Sequence, residues 1–407
     1  VATKRASNAL LQQAVNAYAE TGTFPAAAEL LGIPRTTVQH RVHSAKQQGI
    51  HPNGGRHDPN DMQTLKAEVR RLRADNAKLV DNALTADRIK ESIISLGRDV
   101  AKTSAPAWAL KPPRAHDSPG VPSLFLSDLH WGEVVHPSQV NGVNSYNLKT
   151  AHARIDTLVD STVRLLEIVS PKLEYPGIVL ILGGDMVSGN IHDELATTNE
   201  INTMPTVLDL FGKLAGTIET LADTFRHVFV VGVTGNHGRD THKIWAKDRH
   251  HTSFDWLLYC FLAKHFEKDK RIAFLIPDGP DAYFKIYNHR YLLTHGDQFR
   301  GGDGMIGALG PIIRGDHKKR SRNGQIDMEY DTLLCGHWHQ YIHLARLIVN
   351  GSLKGYDEYA YSNNFPFEQP QQALWLTHPK YGITYRMPVY VDDRGKALKT
   401  NWVSVAA

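Results

Sequence analysis

Ile178-Val179-Leu180-Ile181-Leu182-Gly183-Gly184-Asp185 is a run of five apolar residues that stops at two glycines and a carboxylate. So short a run, rich in β-branched side chains and ended by turn residues, reads as a strand buried on both faces. Four other places repeat the arrangement. Leu124-Phe125-Leu126 runs into Asp128-Leu129-His130, and residues 228–233 run into Gly235-Asn236-His237. Tyr291-Leu292-Leu293 precedes His295-Gly296-Asp297, and Leu333-Leu334 precedes Gly336-His337-Trp338-His339. Were these five strands to lie side by side, every polar motif would sit at the carboxyl edge of a sheet, where open α/β folds build their sites.

The residue types point to metal chemistry. Carboxylate, imidazole and side-chain amide oxygen suit hard or borderline divalent ions, and none of the motifs contains a cysteine that would select a soft metal. A purely structural zinc site would more often use cysteines. Two ions roughly 3.5–4 Å apart can share one carboxylate, activate a water and neutralise phosphoryl charge, the combination that phosphate-ester hydrolysis needs. Taken alone, His295 at a strand edge would more often be a hydrogen-bonded structural residue. The common position of all five motifs after a strand favours ligands instead.

In their order along the chain, Asp-x-His, Gly-Asp, Gly-Asn-His, a lone His and Gly-His-x-His, the motifs resemble the calcineurin-like metallophosphoesterases over roughly Val121 to Val391. The resemblance implies an α/β fold, a two-sheet sandwich flanked by helices. It implies that Asp128, His130 and His339 hold one metal, that Asn236, His295 and His337 hold the other, and that Asp185 bridges them. His237 matches the family's general acid. Mn is the expected metal, with Fe, Zn, Mg or Ni as alternatives. Residues Gly184-Asp185-Met186-Val187-Ser188 and Gly235-Asn236-His237-Gly238-Arg239-Asp240 lack the arginines that the protein-phosphatase branch places there. The pattern is closer to the nuclease and phosphodiesterase branch, similar to the SbcD-like exonucleases, although Ser188 stands where that group often has a His. His192 and Asp193 would either meet substrate or cap the next helix, and His136 is equally open.

The front of the chain bears on the substrate. Residues 8–49 read as three helices, the middle one over 25–31 and the last over 35–48. Ala28, Gly32 and Val38 have the spacing of a helix-turn-helix, and Pro34 suits the first turn of the last helix. Arg35, Thr36, Thr37, Gln39 and His40 would face outward toward phosphates and base edges. A small helical bundle that binds protein is the alternative. After a hinge over 51–60, Met62, Val69, Asn76 and Ala83 alternate with Leu65, Leu72 and Leu79 as the a and d positions of a coiled coil. That pattern predicts a homodimer through residues 61–84, within a helical segment reaching 102. A single amphipathic helix would show the same spacing. A proline-rich linker over 103–122 then leads to the catalytic domain, 123–407. Inside it, Lys318, Lys319, Arg320 and Arg322 form a basic run that either is just a solvated loop or tracks a DNA backbone.

Composition adds little. Lys and Arg number 46 against 42 Asp and Glu, and the segment before the linker holds most of the excess, consistent with nucleic-acid contact. The two cysteines, Cys260 and Cys335, predict no disulfide framework, and the chain shows neither a signal peptide nor a long apolar span, so a cytoplasmic protein is expected. The expectation is therefore a metal-dependent DNA nuclease of bacterial or phage type, with any ATPase partner open. A protein or small-molecule phosphatase is the rival enzyme, and a non-catalytic DNA-binding regulator or packaging factor is the rival from another class.

Overall fold

The computed structural model describes residues 6–52, 68, 71–72, 105–111, 119–301 and 307–392. The chain divides into two units, residues 1–89 and 90–407. The expected hinge and coiled coil lie outside the described residues, apart from His51, Pro52 and three exposed helical positions, Glu68, Arg71 and Leu72.

The first unit holds three helices, α1 (Asn8–Thr21), α2 (Phe24–Leu31) and α3 (Arg35–Gln47). The Thr23 hydroxyl caps α2 by accepting from Ala26 N, and Pro25 occupies the first turn, where no N–H is needed. Gly32 ends α2 in a left-handed conformation that lets Ile33 N donate to Ala28 O at 3.2 Å. Leu11, Val15 and Ala45 make one small core, and Ala17, Ala27 and Val38 make another. Arg35, Thr36 and His40 are exposed, while Thr37 and Gln39 are half-buried.

The second unit is built on two sheets. In the first, β1 (Val121–Leu126), β2 (Ile178–Leu182), β3 (Val228–Gly232) and β4 (Ile272–Leu275) run parallel, and β10 (Gln371–His378) and β11 (Gly382–Tyr390) extend it antiparallel beside β1. The second has the order β5 (Asp281–Ile286), β6 (His289–Thr294), β7 (Thr332–Cys335), β9 (Leu347–Val349), β8 (Ile342–Leu344). The strand alternation explains the continuous apolar runs. Ile178, Leu180 and Leu182 pack toward the helices, whereas Val179 and Ile181 meet Phe284, Tyr291, Leu293 and Ile348 of the other sheet. All five β2 side chains are fully buried, each worth roughly 1.5–3 kcal/mol for the larger aliphatic ones.

Helix α4 (Ala107–Leu110) precedes β1, and α5 (Leu148–Val169), α6 (Asp193–Thr198), α7 (Thr203–Phe225) and α8 (Phe254–His265) link the parallel strands. Helix α9 (Leu309–Gly324) joins β6 to β7, and α10 (Glu358–Ser362) precedes β10. One expectation changes. The strands before His295 and before His337 belong to the second sheet, so the five motifs meet from two sheets. β10, paired with β1, is buried on both faces and supplies Leu374 and Leu376 to one core and Ala373 and Trp375 to the other. Within the linker, the α4 turn docks on the domain, with Ala109 buried and its carbonyl accepting from Tyr287 N at 2.7 Å. Trp108 supplies the apolar surface there, its ring 6.0 Å from that of His227. Among the described residues no helix is long and apolar enough to cross a membrane.

Candidate metal centre

The motifs follow β1, β2, β3, β6 and β7 at their carboxyl ends, and the loops knit to one another through main-chain bonds. Asp128 N donates to Gly184 O and His130 N to Asp185 O, both at 3.1 Å. Asp128, His130, Asp185, His337 and His339 all take positive φ, between 46° and 69°. A left-handed non-glycine residue costs about 1–3 kcal/mol and persists only where its surroundings over-determine it. Five of the seven expected ligands are held this way, so the strain is concentrated where the donors converge.

The donors form two groups joined by neighbouring atoms. Asp128, His130 and His339 each place a ligand atom within 4.8 Å of the others, as do Asp185, His295 and His337. A third combination, His130, Asp185 and His237, overlaps both. His130 Nε2 lies 3.1 Å from His339 Nε2, and His295 Nε2 lies 3.0 Å from Asp185 Oδ2 and 3.2 Å from Asn236 Oδ1. His295 Nδ1 faces Gly183 O at 2.8 Å, so the backbone fixes its tautomer and leaves Nε2 toward the cluster. His130 Nδ1 is buried 3.2 Å from Glu133 Oε2, the carboxylate behind the ring.

Two glycines make room for the carboxylates. A Cβ on Gly235 would stand 2.1 Å from Asp185 Oδ1, and one on Gly336 would stand 2.3 Å from Asp128 Oδ2. The cradle therefore closes on carboxylate oxygens, and the donor set fits two divalent ions: oxygen and imidazole nitrogen, with Asp185 central.

Protonation favours the same use. Burial pushes the imidazole of His237 down to about 3 and that of His337 down to about 4, and it lowers His130 as well. These rings are thus neutral, the form that ligates metal. His295 goes the other way: burial lowers it, but the adjacent Asp185 carboxylate overcomes this and raises it to about 10. Burial alone would raise Asp128 and Asp185, yet the histidines facing them hold both below the usual carboxylate range, Asp185 well below.

Several supporting residues carry no sequence signal. Asp255, fully buried near the start of α8, accepts from Asp185 N at 3.0 Å, Met186 N at 3.2 Å and Gly235 N at 2.9 Å, so one carboxylate ties the second motif to the third. Asn350 donates to Ser127 Oγ, which donates to Asp128 Oδ2, and Ser352 Oγ donates to Asp128 O. Asn350 and Ser352 thus brace the first motif. Lys354, fully enclosed, pairs with Glu133 at 2.8 Å and with Asp357 at 2.5 Å. Ser188 Oγ donates to Glu133 Oε2 at 3.3 Å, while Ser188 O faces His237 Nδ1 at 3.2 Å.

His192 occupies the N-cap position of α6 without a side-chain cap bond, and its ring lies 5.8 Å from that of His237. Asp193 is exposed in the first turn of α6. His136 is exposed, its N–H donating to Glu358 Oε1. The basic run lies on helix α9, which excludes the solvated-loop reading. Lys319 is buried against Asp281 at 2.6 Å, Arg322 reaches the same carboxylate at 2.7 Å, and Arg320 pairs with Asp316 at 2.8 Å. Three of the four charges thus answer carboxylates of their own domain, and exposed Lys318 is the exception.

No protein-family model matches the chain, and no curated protein matches it. Among solved structures it is similar to a conserved uncharacterized protein of Streptococcus pneumoniae TIGR4 described as a predicted phosphoesterase. The identity is 12%, the TM-score 0.24, and the match covers 63% of this chain and 82% of that one. It is also similar to a single mutant of Vps29 from Entamoeba histolytica, at 15% identity and a TM-score of 0.26, covering 66% of this chain and 99% of that one. Clustered carboxylates and imidazoles able to hold two divalent ions are the equipment of a metal-dependent phosphoesterase.

Proposed function

We propose that the chain is a two-metal phosphodiesterase that cleaves DNA, with the front unit carrying it to its substrate. The observation that carries this reading is the convergence of Asp128, His130 and His339 and of Asp185, His295 and His337 into two adjoining donor groups. Asn236 completes the second group, and Mn²⁺ is the metal proposed for both. When bound, two such ions activate water and screen the charge of a phosphoryl group.

The protein's own part is to place and protonate. His237 N donates to Asp185 Oδ1 at 2.7 Å and its Nδ1 faces Ser188 O, which fixes the ring and leaves Nε2 for the leaving oxygen. We assign His237 the role of general acid, its Nε2 taking up a proton from solvent and giving it to the leaving oxygen. The arginines beside the third motif do not serve as a phosphate clamp: Arg239 donates to Asn236 O, and Arg249 pairs with Asp297 at 2.9 Å. That supports a diester over a monoester. Arg35, Thr36, Thr37, Gln39 and His40 are proposed to read DNA, with Lys318 as a further backbone contact. A homodimer through residues 61–84 would bring two such units together, and exposed Leu72 is on the proposed seam.

The test is cleavage of defined single- and double-stranded DNA by the purified chain with Mn²⁺, beside Asp185→Ala and His237→Ala. Cleavage lost in both variants supports the reading. Turnover of a chromogenic phosphomonoester but not of a bis-phosphodiester or DNA would make the chain a phosphatase, and no turnover of any ester would leave a DNA-binding regulator.

A further inference from the structure

Beyond the binuclear centre, three more metal-ligating side chains come together at the next strand of the same sheet edge. β4 runs parallel to β3, and just past its carboxyl end stands Asp278. His250 and His251 approach it from the short 3-10 turn His250–Thr252, which lies between the third motif and α8. The three residues each offer a donor atom within 4.8 Å of the other two. Nothing in the spacing along the chain announces this group, because the carboxylate lies 27 residues after the nearer histidine.

We propose that His250, His251 and Asp278 form a third divalent-ion site, separate from the binuclear centre, which takes zinc and clasps the loop after Asn236 to the end of β4. Two imidazoles and one carboxylate are a donor set zinc accepts, with water as a fourth ligand. Adjacent residues seldom direct their side chains to one point, but the 3-10 turn brings the two rings to 3.9 Å between centroids, inclined at 60°. Trp256 walls them on one side, 5.0 Å from the His251 ring and 6.4 Å from the His250 ring. Asp248 Oδ1 lies 3.7 Å from His251 Nδ1, the outer carboxylate that metal-bound histidines commonly have behind them. His250 is buried and Asp278 is exposed, so the group opens to solvent on the carboxylate side.

The clasp has a consequence for the main site. Arg249, next to His250, pairs with Asp297 of the fourth motif and donates to Gly235 O. An ion at the third site would hold Arg249 in place and so steady two of the loops that carry the binuclear donors, without lending a ligand to them.

The experiment counts zinc per chain by elemental analysis after equilibration with a small excess of ZnCl₂ and gel filtration. Four proteins are compared: wild type, Asp278→Asn, His251→Gln, and Asp128→Ala/Asp185→Ala. Three ions are expected in the wild type, two in each of the middle pair, and one in the double variant, with zinc-dependent thermal protection persisting in the double variant. Equal zinc in wild type, Asp278→Asn and His251→Gln overturns the third site, whatever the binuclear centre does. Should the binuclear reading fail instead, wild type and double variant would hold the same single ion, and Asp278→Asn would still lose it. Circular dichroism shows whether each variant is folded, and the wild type against Asp278→Asn, an exposed isosteric change, decides the matter on its own.

Discussion

Binding of metal at the binuclear centre should release close to one proton, and the source should be His295. In the metal-free protein burial lowers this imidazole, but Asp185 Oδ2, 3.0 Å from Nε2, outweighs the burial and sets it at about 10. At pH 7 the ring is therefore protonated on the nitrogen a metal would need. His130, His237 and His337 are held neutral and have no proton to give up there. Three pH units separate pH 7 from the His295 value, so displacing the proton weakens apparent affinity about a thousandfold, or about 4 kcal/mol at 1.36 kcal/mol per unit. Affinity should climb about tenfold per pH unit between 7 and 9 and level off above 10. Because the folded value is raised, the His295–Asp185 contribution to metal-free stability is complete below about 6.5 and is lost as pH rises through about 10. Isothermal titration calorimetry with Mn²⁺ in buffers of differing ionisation enthalpy measures the proton count directly. His295→Gln should abolish the release. A wild-type count near zero, or an affinity flat from pH 7 to 9, would refute the assignment.

Other perturbations test the scaffold. Asp255→Ala leaves three buried N–H groups without an acceptor, at about 1–3 kcal/mol each, so urea unfolding should show a loss of roughly 3–9 kcal/mol or no folded protein. Gly336→Ala drives a methyl against Asp128 Oδ2 and should weaken metal binding by about 10–100-fold, the usual size of an outer-layer disturbance, read by calorimetry. Lys354→Met strands the Glu133 and Asp357 carboxylates in the interior and should cost about 3–5 kcal/mol in a denaturant titration. Lys354 draws Glu133 below the ordinary range, so the wild-type contribution is present above pH 4.5 and fades only as the medium becomes strongly acid. If α3 reads DNA, Arg35→Ala should flatten the slope of log affinity against log salt by about 0.9, the share of one phosphate, in a fluorescence anisotropy series.

The convergence of donor side chains was legible wherever a carboxylate or imidazole coincided with a strand end. Asp128, His130, Asp185, His295, His337 and His339 each announce themselves because an apolar run fixes the strand and its last residues fix the edge. The sheet to which each strand belongs was not legible: Tyr291-Leu292-Leu293 and Leu124-Phe125-Leu126 look alike as sequences, and their partners lie far along the chain. Supporting residues were hidden for a deeper reason. Asp255 reads as an ordinary first-turn acid of α8, and its importance comes from facing three N–H groups, two of them about 70 residues away. Basic residues misled in the complementary way. Lys319 and Arg322 read as a surface charge run, but Asp281, 38 residues before Lys319 and on another element, takes up both. A metal ligand can be named from its own chemistry and local spacing, whereas a residue that holds a ligand is defined by its partner, and the partner is supplied by topology. That difference explains why His250, His251 and Asp278 gave no signal: each is individually common, and only the parallel pairing of β4 with β3 brings them to one place.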